Sequence, residues 1–275
     1  MKAWIVGVAT IVLVLAAGAG LALTWDSTQT SATGTFGPSI ELSDGALVTT
    51  ASTSTTTSTR APLQSPTTTL APLPPCEYLD EPVTQDPATE WDTIVIDTAM
   101  RLPADYAPAD LVPVSDAGFG SSDDTVREFL IPDLSGLRAA AEAAGTPLAV
   151  VSGYRSYAYQ ENLFAHRVAA LGLEATAHTG RAGHSEHQLG TTIDVLDPPS
   201  TELTEAFGTT PAGQWIAAHA HEFGFVQSYP AGVREKTCYD YEPWHFRYVG
   251  RDVSAQIHAS GMPPREWLLT HRPDG

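Results

Sequence analysis

His184-Ser185-Glu186-His187-Gln188-Leu189-Gly190-Thr191-Thr192-Ile193-Asp194 is the stretch around which the chain is organised. Within it His187 and Asp194 stand seven positions apart, and further on Glu242-Pro243-Trp244-His245 supplies a second histidine with a carboxylate three positions before it. Two imidazoles and one carboxylate make a three-ligand set for a catalytic zinc, with the fourth tetrahedral position left for water. Glu242 lies outside that set and is placed to act as the general base. His187 reads as loop just before the β-prone run Thr191 to Leu196, which carries Asp194, and His245 opens the alternating run His245-Phe246-Arg247-Tyr248-Val249. A single histidine or aspartate in a domain is usually structural. The joint spacing of the three is what points to a metal, and ligands carried on strands suit a preformed site.

The other polar residues sort around that set. His184 precedes His187 by three positions on an irregular loop, so it is at most a supporting residue. Glu186 competes with Glu242 for the role of base, but alternation beside His187 points its side chain away. His219 and His221 fall two apart on a helical stretch and read as surface or packing residues; Asp240 has no evident role. No His-Glu-x-x-His helix occurs, which excludes the commonest zinc-protease layout. Ser152-Gly153-Tyr154-Arg155-Ser156 marks a strand-to-helix junction, where Arg155 is placed to hold a substrate carboxylate or an oxyanion, with Gln160 adding a hydrogen bond.

Outward from these motifs, Trp91 to Ile96 reads as a strand, followed by the turn-rich Leu102-Pro103-Ala104-Asp105-Tyr106. Leu134 to Ala144 reads as a helix capped by Asp133, Pro147 to Ser152 as a buried strand, and Ser156 to Leu171 as a helix with Leu163, Phe164, Val168 and Leu171 near one face. A helix starting at Thr210-Pro211 ends at Gly224, and a short one from Val253 to Ala259 closes the domain. Strands and helices interleave without regular βαβ spacing, so the expected fold class is α+β with a mainly antiparallel central sheet flanked by helices.

The 275 residues divide three ways. Residues 1–25 contain an uncharged run from Ala3 to Trp25, long enough for a membrane helix, with a cleaved signal peptide as the rival reading. Residues 26–75 are rich in Thr, Ser, Gly, Pro and Ala and read as a flexible linker. Residues 76–275 form the globular part. Either reading of the N-terminus takes the chain out of the cytoplasm, anchored in the membrane or secreted. In an oxidising compartment Cys76 and Cys238 pair most simply as a disulfide, with two buried free thiols as the alternative. The net charge of −18 argues against nucleic acid as a partner.

Three blocks, Ser152–Ser156, Gly183–Asp194 and Glu242-Pro243-Trp244-His245-Phe246-Arg247-Tyr248, resemble the VanY-like D-alanyl-D-alanine carboxypeptidases of the zinc peptidase group named for lysostaphin, the D-Ala-D-Ala peptidases and the sonic hedgehog domain. The resemblance covers about Leu102 to Gly261. It implies that group's fold, zinc held by His187, Asp194 and His245, Glu242 as base, and Arg155 stabilising the bound substrate and transition state. It further implies Ser185 near the peptide's terminal carboxylate and Gln160 as a substrate contact. Thr192 stands where many relatives have alanine. The expected activity is removal of the C-terminal D-alanine from peptidoglycan stem peptides, with D,D- and L,D-specificity both open. A non-catalytic, zinc-containing wall-binding module of the same fold is the alternative, and an endopeptidase with the same chemistry is a third reading.

Overall fold

The computed structural model describes residues 73–120 and 123–271. The expected anchor over 1–25 and nearly all of the linker over 26–75 lie outside the described residues. Among the described residues no helix is long and apolar enough to cross a membrane.

β1 (Glu81–Pro82) pairs in parallel with β2 (Met100–Arg101), and β3 (Leu111–Pro113) pairs antiparallel with β4 (Thr125–Arg127). Helix α1 (Ile131–Ala143), β5 (Ala149–Ser152), α2 (Tyr157–Leu171) and the short α3 (Ala175–His178) follow. Then come β6 (Thr192–Leu196), α4 (Pro211–His219), β7 (Phe225–Gln227), α5 (Arg234–Thr237) and β8 (His245–Tyr248). Helices α6 (Arg251–Ser260) and α7 (Pro264–Thr270) complete the order. β5, β6, β8 and β7 lie in that order in one sheet, each neighbouring pair antiparallel, so the α+β class holds with small sheets.

Alternation along β6 and β8 decides what each face of this sheet carries. Ile193, Val195, Phe246 and Tyr248 enter the main core, where Leu134, Leu137 and Ala141 of α1 and Ala212 and Ile216 of α4 cover them. Each such side chain contributes roughly 1.5–3 kcal/mol on burial. The intervening residues, Thr192, Asp194, His245 and Arg247, therefore point to the opposite face, and the register makes Asp194 and His245 direct cross-strand partners. A one-residue slip would exchange the two sets, so the core fixes the polar pair.

Several elements differ from the expectation in instructive ways. Trp91 to Ile96 is not a strand: Ile94, Val95 and Ile96 are buried, but the carbonyls of Trp91 and Ile94 accept from the Arg247 guanidinium instead of from a neighbouring strand. Asp133 lies inside α1, with Pro132 in its first turn, and its carboxylate accepts from Tyr248 Oη and Arg251 rather than capping the helix. Ser156 does cap α2, accepting from Tyr159 N at 3.2 Å. The apolar residues of α2 do not form a core face: its one buried residue is Gln160, and Leu171 is 48% exposed. A further helix, α7, follows the one expected to close the domain, and Trp267 and Leu268 pack with Val226, Val249 and Ile257 in a second cluster. Cys76 and Cys238 form a disulfide with Cα atoms 5.1 Å apart.

Candidate metal centre

Three elements bring the cluster together. A 3-10 turn, Glu186–Leu189, carries His187; β6 carries Asp194; His245 begins β8. All three are at least 97% buried, with exposures of 0%, 3% and 3%. His187 Nε2 lies 3.3 Å from Asp194 Oδ2, and His245 Nδ1 lies 3.2 Å from Asp194 Oδ1. One donor atom from each of the three residues falls within 4.8 Å of the others. His187 Nε2 and Asp194 Oδ1 nevertheless have no hydrogen-bond partner among the described residues. Unpartnered buried polar atoms cost roughly 1–3 kcal/mol each. Their convergence, with donors of types that ligate divalent metals, fits a cation held by His187, Asp194 and His245.

Surrounding groups fix which ring nitrogen is bare. His187 Nδ1 lies 2.7 Å from the Gly153 carbonyl oxygen, which can only accept, so Nδ1 carries the proton and Nε2 faces the cluster as a lone pair. Burial, followed by the Arg155 charge, holds the His187 ring down at about 4. Gly153 sits where β4 passes closely: a Cβ there would meet Thr125 O at 2.5 Å, and Tyr154 N donates to that same carbonyl. The glycine of the Ser152–Ser156 motif is thus a close-approach residue that sets the height of His187.

Glu186 corrects the alternation argument. Its backbone is a 3-10 turn, not a strand, and at three residues per turn successive side chains are only about 120° apart. It is 6% exposed and lies on the same side as the cluster. Glu186 Oε2 is 2.9 Å from His245 Nε2 and accepts from Ser228 Oγ at 2.6 Å, while Oε1 accepts from Arg247 Nη1 at 3.0 Å. Glu186 therefore turns His245 so that Nδ1 faces Asp194, the outer-carboxylate arrangement common around metal-ligating histidines. Against the cost of burial, Arg247 and His245 keep the Glu186 carboxyl at about 2. Burial also works against the charged His245 ring, but Asp194 and Glu186 together raise it to about 10. Likewise Asp194, despite burial, is held far below the usual carboxylate range by the flanking imidazoles and Arg155.

Glu242 stands beside the cluster, with Oε2 3.5 Å from His245 Nδ1, and burial pushes its carboxyl up to about 7. Arg155 Nη2 is 3.6 Å from Asp194 Oδ2, and its buried Nε has no partner. Both line a cleft of about 260 Å³ together with Gln160, Ser185, Tyr229 and Trp244. Gln160 donates from Nε2 to Gly180 O at 2.7 Å and leaves Oε1 unpartnered. The structure thus brings together every residue singled out in the sequence for the site. His184 lies outside the His187, Asp194 and His245 cluster: its nitrogens lie 2.8 Å from Asp97 O and 3.0 Å from Asp80 Oδ1. Tyr229, whose ring centroid is 4.7 Å from that of His245, Ser228 and Arg247 escaped the sequence reading. Arg247 had a signal: it sits two residues after His245 on an alternating strand, hence on the same face.

The family model for VanY, D-alanyl-D-alanine carboxypeptidase, matches residues 124–251, a span that contains Arg155, His187, Asp194, Glu242 and His245. Putative carboxypeptidase YodJ of Bacillus subtilis is 34% identical over 180 residues, covering 63% of this chain and 66% of that protein. A D-alanyl-D-alanine carboxypeptidase of Enterococcus faecalis is 30% identical over 194 residues, covering 66% of this chain and 68% of that protein. The structure of the LdcB LD-carboxypeptidase matches with a TM-score of 0.60 and 34% identity over 64% of this chain and 85% of that one. A mutant of the vancomycin-resistance D,D-pentapeptidase VanY, solved in complex with Zn(II), matches with a TM-score of 0.56 and 28% identity over 65% of this chain and 99% of that one. The chain belongs to the VanY family of D-alanyl-D-alanine carboxypeptidases and is a metallocarboxypeptidase by that membership.

Proposed function

We propose that this chain is a zinc-dependent carboxypeptidase that removes the C-terminal D-alanine from peptidoglycan stem peptides, acting on a D,D- or an L,D-bond. The observation that carries the reading is the convergence of His187, Asp194 and His245 beside Glu242 and Arg155 in one cleft. Two imidazoles and a carboxylate suit zinc, and a VanY relative was solved with Zn(II). When bound, zinc supplies Lewis acidity toward the scissile carbonyl and acidifies water. Glu242, with its carboxyl pushed up to about 7 by burial, is poised near neutral pH to take a proton from the attacking water and return it to the departing amine. Arg155 donates to the carbonyl oxygen as negative charge develops there. The Ser185 hydroxyl donates to the terminal carboxylate, and the free Oε1 of Gln160 accepts from a substrate N–H.

In this reading residues 1–25 anchor or export the chain, 26–75 are a linker, and 76–275 are the catalytic domain, facing the cell wall outside the cytoplasm. The Cys76–Cys238 disulfide supports an oxidising compartment. The test is mass spectrometry of muropeptides carrying tetra- and pentapeptide stems after incubation with the protein, with a chelator and with Glu242→Ala as controls. Loss of one terminal alanine from one stem, abolished by both controls, is expected and separates D,D- from L,D-cleavage. Unchanged masses with zinc demonstrably bound would overturn the enzyme reading and favour a wall-binding module.

A further inference from the structure

Helix α2 lays one face along the cleft. Gln160, Leu163, Arg167 and Leu171 all line it, at spacings of three, four and four, the stripe that a helix presents to one side. The stripe runs from the cleft floor to its mouth: Gln160 is 1% exposed and Leu171 is 48% exposed. Arg167 is exposed near the mouth, and its guanidinium has no hydrogen bond or ion pair with any described residue.

That isolation distinguishes it from the other basic groups lining the same cleft. Arg155 faces Asp194 at 3.6 Å, His178 faces Asp240 at 3.3 Å, His184 faces Asp80 at 3.0 Å and His245 faces Glu186 at 2.9 Å. The chain has 32 acidic residues against 14 lysines and arginines, so carboxylates outnumber these cations more than twofold. An arginine of such a chain that lines the cleft with no ion pair among the described residues is suited to a carboxylate brought by the ligand. Guanidinium geometry matches a carboxylate with two parallel hydrogen bonds, which a lysine would not reproduce. Leu163, Leu171 and Leu203 line the same cleft, and apolar neighbours reduce the solvent screening of a charge pair.

The helix also sets the distance. Seven residues separate Gln160 from Arg167, about 10 Å at a rise of 1.5 Å per residue. An extended peptide covers that span in about three residues. We propose that Arg167 forms a second anion subsite, binding a side-chain or free α-carboxylate of the peptide about three residues N-terminal to the residue whose N–H donates to Gln160. The proposal rests on the carboxypeptidase reading above and names a recognition element of the substrate that reading leaves open.

The test uses two synthetic stem peptides identical except that the upstream carboxylate is a primary amide in one. The zinc-loaded protein is expected to favour the carboxylate peptide by roughly five- to tenfold in kcat/KM, chiefly through KM, as for a charge-assisted contact. Arg167→Gln should remove that preference and leave the amide peptide's kcat/KM within about twofold of the parent, whereas Arg167→Lys should retain part of it. Raising ionic strength should narrow the parent's preference in parallel. No preference in the parent, a preference that survives Arg167→Gln, or an equal loss on both peptides would overturn the subsite. Turnover of neither peptide would sink the carboxypeptidase reading instead. Calorimetric binding of the same two peptides to the Glu242→Gln protein tests the subsite independently of turnover, with the same fold-difference expected.

Discussion

Replacing Glu186 by glutamine removes one buried negative charge and leaves the side chain's shape nearly unchanged, so it separates orientation of the metal ligand from packing. In the parent, Glu186 meets three groups at 2.6 to 3.0 Å: Ser228 Oγ, His245 Nε2 and Arg247 Nη1. Arg247 is itself 1% exposed, so the substitution leaves a buried guanidinium without an opposite charge, its partners now the neutral amide oxygen and the carbonyls of Trp91 and Ile94. Breaking a buried ion pair from one side costs about 3–5 kcal/mol; because glutamine retains one acceptor oxygen, about 3 kcal/mol is expected in denaturant unfolding of the metal-free protein. Metal affinity should fall separately. A glutamine amide can present N–H to His245 Nε2, which then accepts and moves the ring proton to Nδ1, the atom that faces Asp194. Loss of such an outer partner costs about 10- to 100-fold in affinity, readable by competition with a chromophoric chelator.

Two controls make the argument refutable. Adding Arg247→Met to Glu186→Gln removes the stranded charge, so the double variant should lose much less stability than the sum of the single losses while its metal affinity stays low. Calorimetry in buffers of different ionisation enthalpy supplies the second. With His245 raised to about 10 in the metal-free protein, metal binding near neutral pH should release about one proton, and fewer in Glu186→Gln, where one of the two carboxylates supporting the charged ring is gone. Metal affinity within twofold of the parent, in a folded Glu186→Gln protein, would refute the orienting role.

Glu242→Gln should stabilise the metal-free protein at pH 8 and not at pH 4. The Glu242 carboxyl rises from 4.5 to about 7 on folding, so the stability it contributes is fully present below 4.5 and is lost as pH rises through about 7; the difference at pH 8 is about 3 kcal/mol by linkage, checked by thermal unfolding at the two pH values. Gly153→Ala should lower both stability and metal affinity, because the added Cβ would meet Thr125 O at 2.5 Å and displace the carbonyl that holds His187 Nδ1; denaturant titration and chelator competition read the two effects. Cys76→Ser should lower unfolding stability by about 2–5 kcal/mol, since the disulfide closes a loop with a sequence separation of 162, and should leave metal affinity unchanged because neither cysteine touches the cluster.

The cluster of candidate metal donors was legible because each sits where a local rule applies. Asp194 and His245 lie on strands whose alternate residues, Ile193, Val195, Phe246 and Tyr248, are plainly apolar, so the polar face follows from period two once the strands are placed. The α+β class followed from irregular interleaving of the same segments. What failed was each inference that carried a local period into a segment governed by a distant group. Trp91 to Ile96 has the composition of a strand, but its carbonyls are bonded by a guanidinium more than 150 residues away. The leucines of α2 have helical spacing, yet they edge a cleft rather than fill a core.

Glu186 shows why this division falls where it does. Its position depends on a 3-10 turn that no alternation rule describes, and its role depends on Arg247, whose side chain spans from β8 to the Trp91–Ile94 segment. Arg247 thus performs two tasks at once. It satisfies carbonyls that would otherwise require a further strand, and it fixes the carboxylate that turns His245 toward Asp194. Because one buried guanidinium serves both, the N-terminal wrapping segment and the candidate metal centre are coupled. A disturbance confined to the Trp91–Ile94 segment should therefore reach metal affinity through Arg247 and Glu186, without touching any donor atom.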